Sequence, residues 1–155
     1  MIIRKGNTGD LTDMKLLFAE TITYVCKDDY TNEQLEVWKS GVENEERWQK
    51  VMEEQLILVA LHGDKTVGFC TLNQGNYIDL LFVHKDYQHR GIAQALYTQI
   101  EQEAIQQEES KLSADVSKTA KPFFEKMGFK VNAEQTVTVK GIDLINYKMS
   151  KSLIK

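Results

Sequence analysis

Apolar residues follow helical spacing in the first third of this chain. From Asp10 onward they recur every three or four positions, at Leu11, Met14, Leu17, Phe18, Ile22 and Val25. This spacing places them on one face of an amphipathic helix. Thr31 with Gln34 three residues later is a capping-box pattern, which predicts the start of a second helix. A third helical segment surrounds Trp48.

Short apolar runs rich in β-branched residues predict the strands. Two of them, 56–61 and 67–72, are separated by a polar turn and predict a hairpin. Strands and helices then alternate, which requires parallel pairing in the second half of the sheet. The pattern predicts one mixed α/β domain over residues 1–155, with the sheet antiparallel at first and parallel in its middle. The remaining predicted elements are strands 2–4, 77–83, 112–116, 137–139 and 144–149, helix 91–108 and a helix ending at Met127.

Pro122 limits where the last helix begins. Proline is tolerated in the first helical turn, where its missing N–H has no intrahelical partner. We therefore expect Thr119 rather than Ser117 to cap this helix, and Gly128 to end it.

Composition narrows the class of protein. Apolar residues make up 42% of the chain, enough for a packed core. No apolar run approaches the roughly 18 residues of a membrane span, and Met1–Lys5 is too short for a signal sequence. The net charge of −4 argues against nucleic-acid binding and suits a cationic small acceptor. Two separated cysteines, Cys26 and Cys70, favour a cytoplasmic location.

The turn at residues 88–93 is the strongest candidate site. It joins the apolar run 77–83 to a helical pattern with Ile92, Leu96 and Ile100 on one face. Backbone N–H groups at such a helix start, with the helix dipole, suit a phosphate or pyrophosphate. The alternative is an ordinary strand-to-helix turn.

These residues carry a family resemblance. Gln88-x-x-Gly91-x-Ala93 resembles the [Gln/Arg]-x-x-Gly-x-[Gly/Ala] signature of the GNAT N-acetyltransferase superfamily, which holds the pyrophosphate of acetyl-coenzyme A (acetyl-CoA). Residues 78–87 are similar to the fourth strand of that fold, and residues 120–129 to its late helix ending in Gly-Phe. Residues 30–38 and 149–151 resemble a bacterial branch of largely unassigned substrate.

The resemblance implies a GNAT fold, with a splay between the parallel strands 77–83 and 112–116 into which the pantetheine inserts. It implies direct attack of a primary amine, from a small molecule or a peptide, on acetyl-CoA in a ternary complex. The backbone of Phe82 and Val83 is expected to pair with the pantetheine. Arg90 either approaches a phosphate or is solvated. The expected cofactor-binding residues are Phe82, Val83, Gln88, His89, Arg90, Gly91, Ile92, Ala93, Ser117 and Phe124.

Asp79 is the candidate general base, because it is the only carboxylate in 77–83. By strand alternation it is expected to share a face with Tyr77, Leu81 and Val83. It could instead be a structural carboxylate or bind the substrate amine.

At the position where many family members have a tyrosine as general acid, this chain has Phe124, which has no proton to donate. Ser117 stands at the position of the usual asparagine. Tyr77 or water could take over the acid's role, or the thiolate could leave unprotonated. The missing acid also leaves a second interpretation open, a non-catalytic acyl-CoA binding or sensor module.

A cluster between the first two helices is the candidate acceptor pocket, because aromatics beside carboxylates suit a cationic amine. Helix capping and core packing explain the same residues equally well. The cluster comprises Tyr24, Asp28, Asp29, Tyr30 and Trp38. Cys70 is expected to be a buried small hydrophobe, no metal site is expected from the histidine spacing, and a homodimer would be ordinary for such a fold.

Overall fold

The computed structural model describes residues 1–154. Within them, helices cover both faces of a central sheet. The strands are β1 (Ile2–Lys5), β2 (Leu56–His62), β3 (Lys65–Asn73), β4 (Tyr77–Val83), β5 (Lys111–Ser117), β6 (Lys130–Val139) and β7 (Ile142–Ser152). The helices are α1 (Leu11–Val25), α2 (Asn32–Lys39), α3 (Glu45–Glu54), α4 (Ile92–Gln106) and α5 (Lys121–Lys126).

The strands lie in the order β1-β2-β3-β4-β5-β7-β6. Neighbours pair antiparallel except β4 and β5, which are parallel. The predicted mixed sheet is therefore confirmed. The closing pair is longer than the apolar runs indicated, because polar residues extend both strands along an exposed edge.

Two hydrophobic clusters lie on opposite faces of the sheet. One joins α4 and α5 to the sheet and contains Leu96, Ile100 and Phe124. The other joins α1, α2 and α3 to the sheet and contains Met14 and Trp48. Each face of the central strands is thus covered by helices, and side chains from both faces reach the space between β4 and β5.

Side-chain hydrogen bonds near two helix starts test the predicted caps; α2 has a capping box, whereas the N-cap of α5, Ala120, has no side-chain cap. At α2 the Thr31 Oγ1 accepts from the Gln34 amide at 3.1 Å, and the Gln34 Oε1 accepts from the Thr31 amide at 2.9 Å, as predicted. At α5 the prediction of a Thr119 cap is wrong. Ser117 Oγ accepts from the Ala120 amide at 3.1 Å, while the Thr119 hydroxyl donates to Asp29 at 2.7 Å. Tertiary contact with the turn after α1 draws Thr119 away from the helix.

Among residues 1–154, the helices are too short or too polar to cross a lipid bilayer. Cys70 is fully buried beneath α4, in agreement with its expected role as a small hydrophobe.

Candidate active site

The site begins where β4 and β5 separate. The two strands pair at only two positions, Tyr77 with Ser113 and Ile78 with Ala114. Beyond these pairs the strands diverge around a cleft of about 1220 Å³, lined from both faces of the sheet. Divergence of neighbouring parallel strands leaves backbone groups without a strand partner, so this edge is open to an extended ligand.

A β-bulge at Asp79 changes which side chains face the cleft. Ile78 pairs with Leu72 and Leu80 with Thr71, so Asp79 is an extra residue in β4. The expected shared face of Asp79 with Leu81 and Val83 is therefore wrong. Leu80 lies instead in the cluster beneath α1 and α3, on the side to which Asp79 also points, while Val83 lies in the cluster beneath α4.

The open edge of β4 presents alternate backbone groups. The amides of Leu80 and His84 donate toward β3, to Thr71 Oγ1 at 3.1 Å and to the Val67 carbonyl at 2.8 Å. Because backbone groups alternate in direction along a strand, those of Leu81 and Val83 point into the cleft and those of Phe82 toward β3. The expectation for Val83 fits this geometry, whereas Leu81 takes the position expected for Phe82.

The turn after β4 has the shape expected of an anion site. His89 and Gly91 have left-handed φ angles of 60° and 81°. The amides of residues 91–94 donate to no acceptor of good geometry among the described residues, and the first intrahelical bond of α4 runs from Ala95 to Gly91 at 3.0 Å. These N–H groups lie at the positive end of the helix dipole.

Gly91 leaves this turn open. A Cβ built on it would meet no atom within 4 Å, so the backbone is accessible from outside. The Gln88 side chain ties the turn to the end of β4, because its Nε2 donates to the Val83 carbonyl at 2.6 Å. Thr21 of α1 donates to the same carbonyl at 3.1 Å.

The remaining predicted cofactor residues separate into two groups. Most of them line the cleft together with Gly91: Gln88, His89, Ile92, Ala93, Ser117 and Phe124. Arg90 is absent from this lining and instead lies over the Tyr87 ring, with 4.9 Å between its guanidinium carbon and the ring centre. Phe124 is buried edge-on to Phe129 with ring centres 5.0 Å apart, so it forms a rigid wall.

Asp79 lines the cleft with both of its oxygens occupied. Arg47 of α3 donates to both oxygens, at 2.9 and 3.0 Å. Gln55 donates to Oδ2 at 2.8 Å. A carboxylate that accepts three hydrogen bonds, two from a cation, is well suited to join α3 to the bulge of β4.

Tyr77 makes a different contact on the same face of the sheet. Its hydroxyl donates to Oδ2 of Asp115, on β5, at 2.9 Å. Burial, followed by the negative charge of Asp115, raises the pKa of Tyr77. The phenol is therefore protonated at neutral pH and remains a hydrogen-bond donor.

The predicted acceptor cluster is only partly brought together. Tyr30 and Trp38 line the cleft with ring centres 5.3 Å apart. Tyr24 and Asp28 lie outside the cleft lining, so the structure does not bring them together with Tyr30 and Trp38 at the cleft. Tyr24 is on the exposed face of α1, where Lys85 Nζ lies 5.2 Å from its ring centre.

A family model described as an acetyltransferase (GNAT) domain matches residues 26–151. The chain belongs to the GNAT acetyltransferase family. It is 33% identical over 147 residues to YafP of Escherichia coli K12, an uncharacterized N-acetyltransferase, covering 95% of this chain and 93% of YafP. The resemblance found in the sequence is thereby confirmed, and the protein is an acetyltransferase.

Solved structures agree with this assignment. A GCN5-related N-acetyltransferase from Rhodopseudomonas palustris is 32% identical, with a TM-score of 0.93 over 98% of this chain and 95% of that one. The PaiA N-acetyltransferase from Thermoplasma acidophilum, crystallised with coenzyme A, is 20% identical with a TM-score of 0.79, covering 97% of this chain and 98% of PaiA. The predicted GNAT fold is confirmed.

Several residues of this GNAT site were not found by sequence reasoning. Arg47 and Gln55 come from α3 and the residue after it, far along the chain from Asp79. Asp115 could have been found from the sequence, because it alternates with the apolar Ala114 and Val116. This alternation places its side chain on the face of β5 away from α4.

Proposed function

We propose that this protein transfers an acetyl group from acetyl-CoA to a primary amine of a small molecule or peptide, by direct attack within a ternary complex. The observation that carries the proposal is the free set of amides at residues 91–94, adjoining the open edge of β4 in one continuous cleft. This arrangement offers an anion site and a strand-like docking edge side by side.

Acetyl-CoA is the cosubstrate, and the residues present fit it. The amides of residues 91–94 suit the pyrophosphate, and the open position at Gly91 lets those oxygens approach the backbone. The backbone of Leu81 and the amide of Val83 suit the amide groups of the pantetheine arm. The Val83 carbonyl is already occupied, because it accepts from Gln88 and Thr21. When bound, acetyl-CoA supplies the activated thioester.

The protein's own groups contribute mainly by position. Phe124 is a wall of the cleft with no proton to give, so the sulfur departs as a thiolate or takes a proton from elsewhere. Alkyl thiols are moderately acidic, with a pKa of about 8.5 for the cysteine side chain, so departure of the sulfur as a thiolate is feasible. For Asp79, the contacts with Arg47 and Gln55 favour the structural alternative over the role of base.

Cofactor binding can be tested by isothermal titration with coenzyme A. Gly91→Leu places a side chain in the anion site, and we expect about tenfold weaker binding or more, since the phosphates lose close approach to the amides. Gly63→Leu is the matched control, because Gly63 also has a left-handed φ, 61°, and open space around it, but lies in the β2–β3 turn. Equal affinity in the two variants would remove the anion site from the proposal.

Catalysis can be tested by thiol release from acetyl-CoA with a panel of amines: spermidine, kanamycin, Nα-acetyl-lysine amide and a peptide beginning with alanine. We expect at least one amine to accelerate release and to appear acetylated by mass spectrometry. Tight coenzyme A binding without acetylation of any panel amine would favour the sensor interpretation.

A further inference from the structure

Two carboxylates face the cleft where β4 and β5 diverge. Within the described residues, the carboxylates lining the cleft are Asp79 and Asp115. Asp79 is neutralised by Arg47 and held by Gln55. Asp115 has no cation within ion-pair distance in the described part of the chain. The negative charge left in the cleft is therefore that of Asp115.

Asp115 occupies the apex of the divergence. It directly follows Ala114, the last residue of β5 that pairs with β4. Ala114 and Val116 belong to the cluster beneath α4, so Asp115 points to the opposite face, where Tyr77 contacts it. That contact occupies Oδ2, while Oδ1 accepts no hydrogen bond from residues 1–154.

The groups around Asp115 favour a ligand that donates hydrogen bonds. Its cross-strand neighbour on β7 is Lys148, whose ammonium does not come within 4.0 Å of the carboxylate. Two residues before Lys148, Asn146 also lines the cleft, and its Oδ1 has no hydrogen-bond donor among the described residues. An acceptor without a donor costs about 1–3 kcal/mol when shielded from water, so a ligand bearing N–H groups is favoured here.

We propose that Asp115 binds the incoming ammonium group and accepts its proton, with Tyr77 holding the carboxylate in position. This inference rests on the proposed acetyl transfer and names the base for it. Tyr77 is a positioning residue, since its hydroxyl stays bonded to Oδ2 while Oδ1 is free for the amine.

The proton balance of the step is simple. The ammonium gives one proton to Asp115, which becomes a neutral carboxylic acid, and the nitrogen lone pair then attacks the thioester carbon. The C–N bond forms and the C–S bond breaks. A second proton leaves the nitrogen for the departing sulfur, and the proton on Asp115 passes to solvent.

The test compares Asp115→Asn with wild type, using the panel amine that is acetylated fastest. Asn preserves the shape and the hydrogen bond from Tyr77 but cannot take a proton. We expect kcat at pH 7 to fall by about 100-fold or more, the usual contribution of a general base. The deficit should shrink as the pH approaches the pKa of the amine, because deprotonated amine then reaches the site unaided.

Two further readouts separate this role from a structural one. Titration of the same amine into coenzyme A-saturated protein should show about tenfold weaker binding in Asp115→Asn, because the site loses its negative charge. Coenzyme A affinity and thermal midpoint should stay unchanged. Asp115→Glu should recover part of the rate, and Asp64→Asn, in the β2–β3 turn, should behave as wild type.

The outcomes are distinguishable. If wild type acetylates an amine and Asp115→Asn does so equally fast across the pH range, Asp115 is not the base, while the proposed function stands. If no panel amine is acetylated by wild type, the proposed function fails and this inference fails with it.

Discussion

Asp79→Asn should mainly lower the free energy of unfolding. The substitution removes the negative charge that Arg47 contacts twice, and it turns one oxygen into an amide donor facing the guanidinium. The Asp79 side chain is 12% exposed and that of Arg47 45% exposed. Exposed pairs contribute at most about 1 kcal/mol, and breaking a fully buried pair costs about 3–5 kcal/mol. This half-sheltered pair therefore predicts a loss of about 2 kcal/mol.

For a chain of 155 residues, a loss of this size lowers Tm by about 4–8 °C. Thermal unfolding followed by circular dichroism measures it, with Asp64→Asn as the control. Arg47→Gln should cost a similar amount, and the double variant little more than either single one, because both remove the same interaction. An unchanged Tm in Asp79→Asn, together with loss of acetyl transfer, would refute the structural role and return Asp79 to the position of base.

Two other substitutions test hydrogen bonds that stabilise the fold. Tyr30→Phe removes a buried hydroxyl that donates to the Ile145 carbonyl at 2.8 Å and accepts from the Lys118 amide at 2.9 Å. The free energy of unfolding should therefore fall by about 2 kcal/mol. An unchanged denaturant midpoint would contradict this. Arg4 lowers the pKa of Asp10 mainly through their hydrogen bond. Arg4→Met should therefore reduce the free energy of unfolding by its full amount above the ordinary carboxyl pKa of 3.8. This loss should vanish as the pH falls through the lower pKa of Asp10 in the folded state. A deficit that persists in acid would show that packing, not charge, explains it.

The elements and the anion turn could be predicted because their signals are local. Helical spacing from Leu11, the Thr31 capping box and the position of Gly91 all act within a few residues of where they are read. Tyr24 could have been assigned to the exposed face of α1 from the same spacing, because it falls between the apolar positions that define the buried face.

The bulge at Asp79 had no such signal. A bulge is defined by the register between two strands, so it cannot be identified from one strand alone. Nothing within 77–83 indicates that Leu80 pairs with Thr71 while Ile78 pairs with Leu72. One inserted position reversed the faces of every later side chain in β4. The same applies to Thr119, whose partner Asp29 lies 90 residues earlier in the chain.

The two-pair junction between β4 and β5 also bears on how long the protein survives in a cell. The halves of the sheet on either side of the opening share few main-chain bonds, so the native state is least supported there. A molecule that fills the opening supplies the missing contacts, and a ligand that binds only the native state stabilises it as its concentration rises. The metabolic supply of acyl donor would then influence the turnover of this protein as well as its reaction rate.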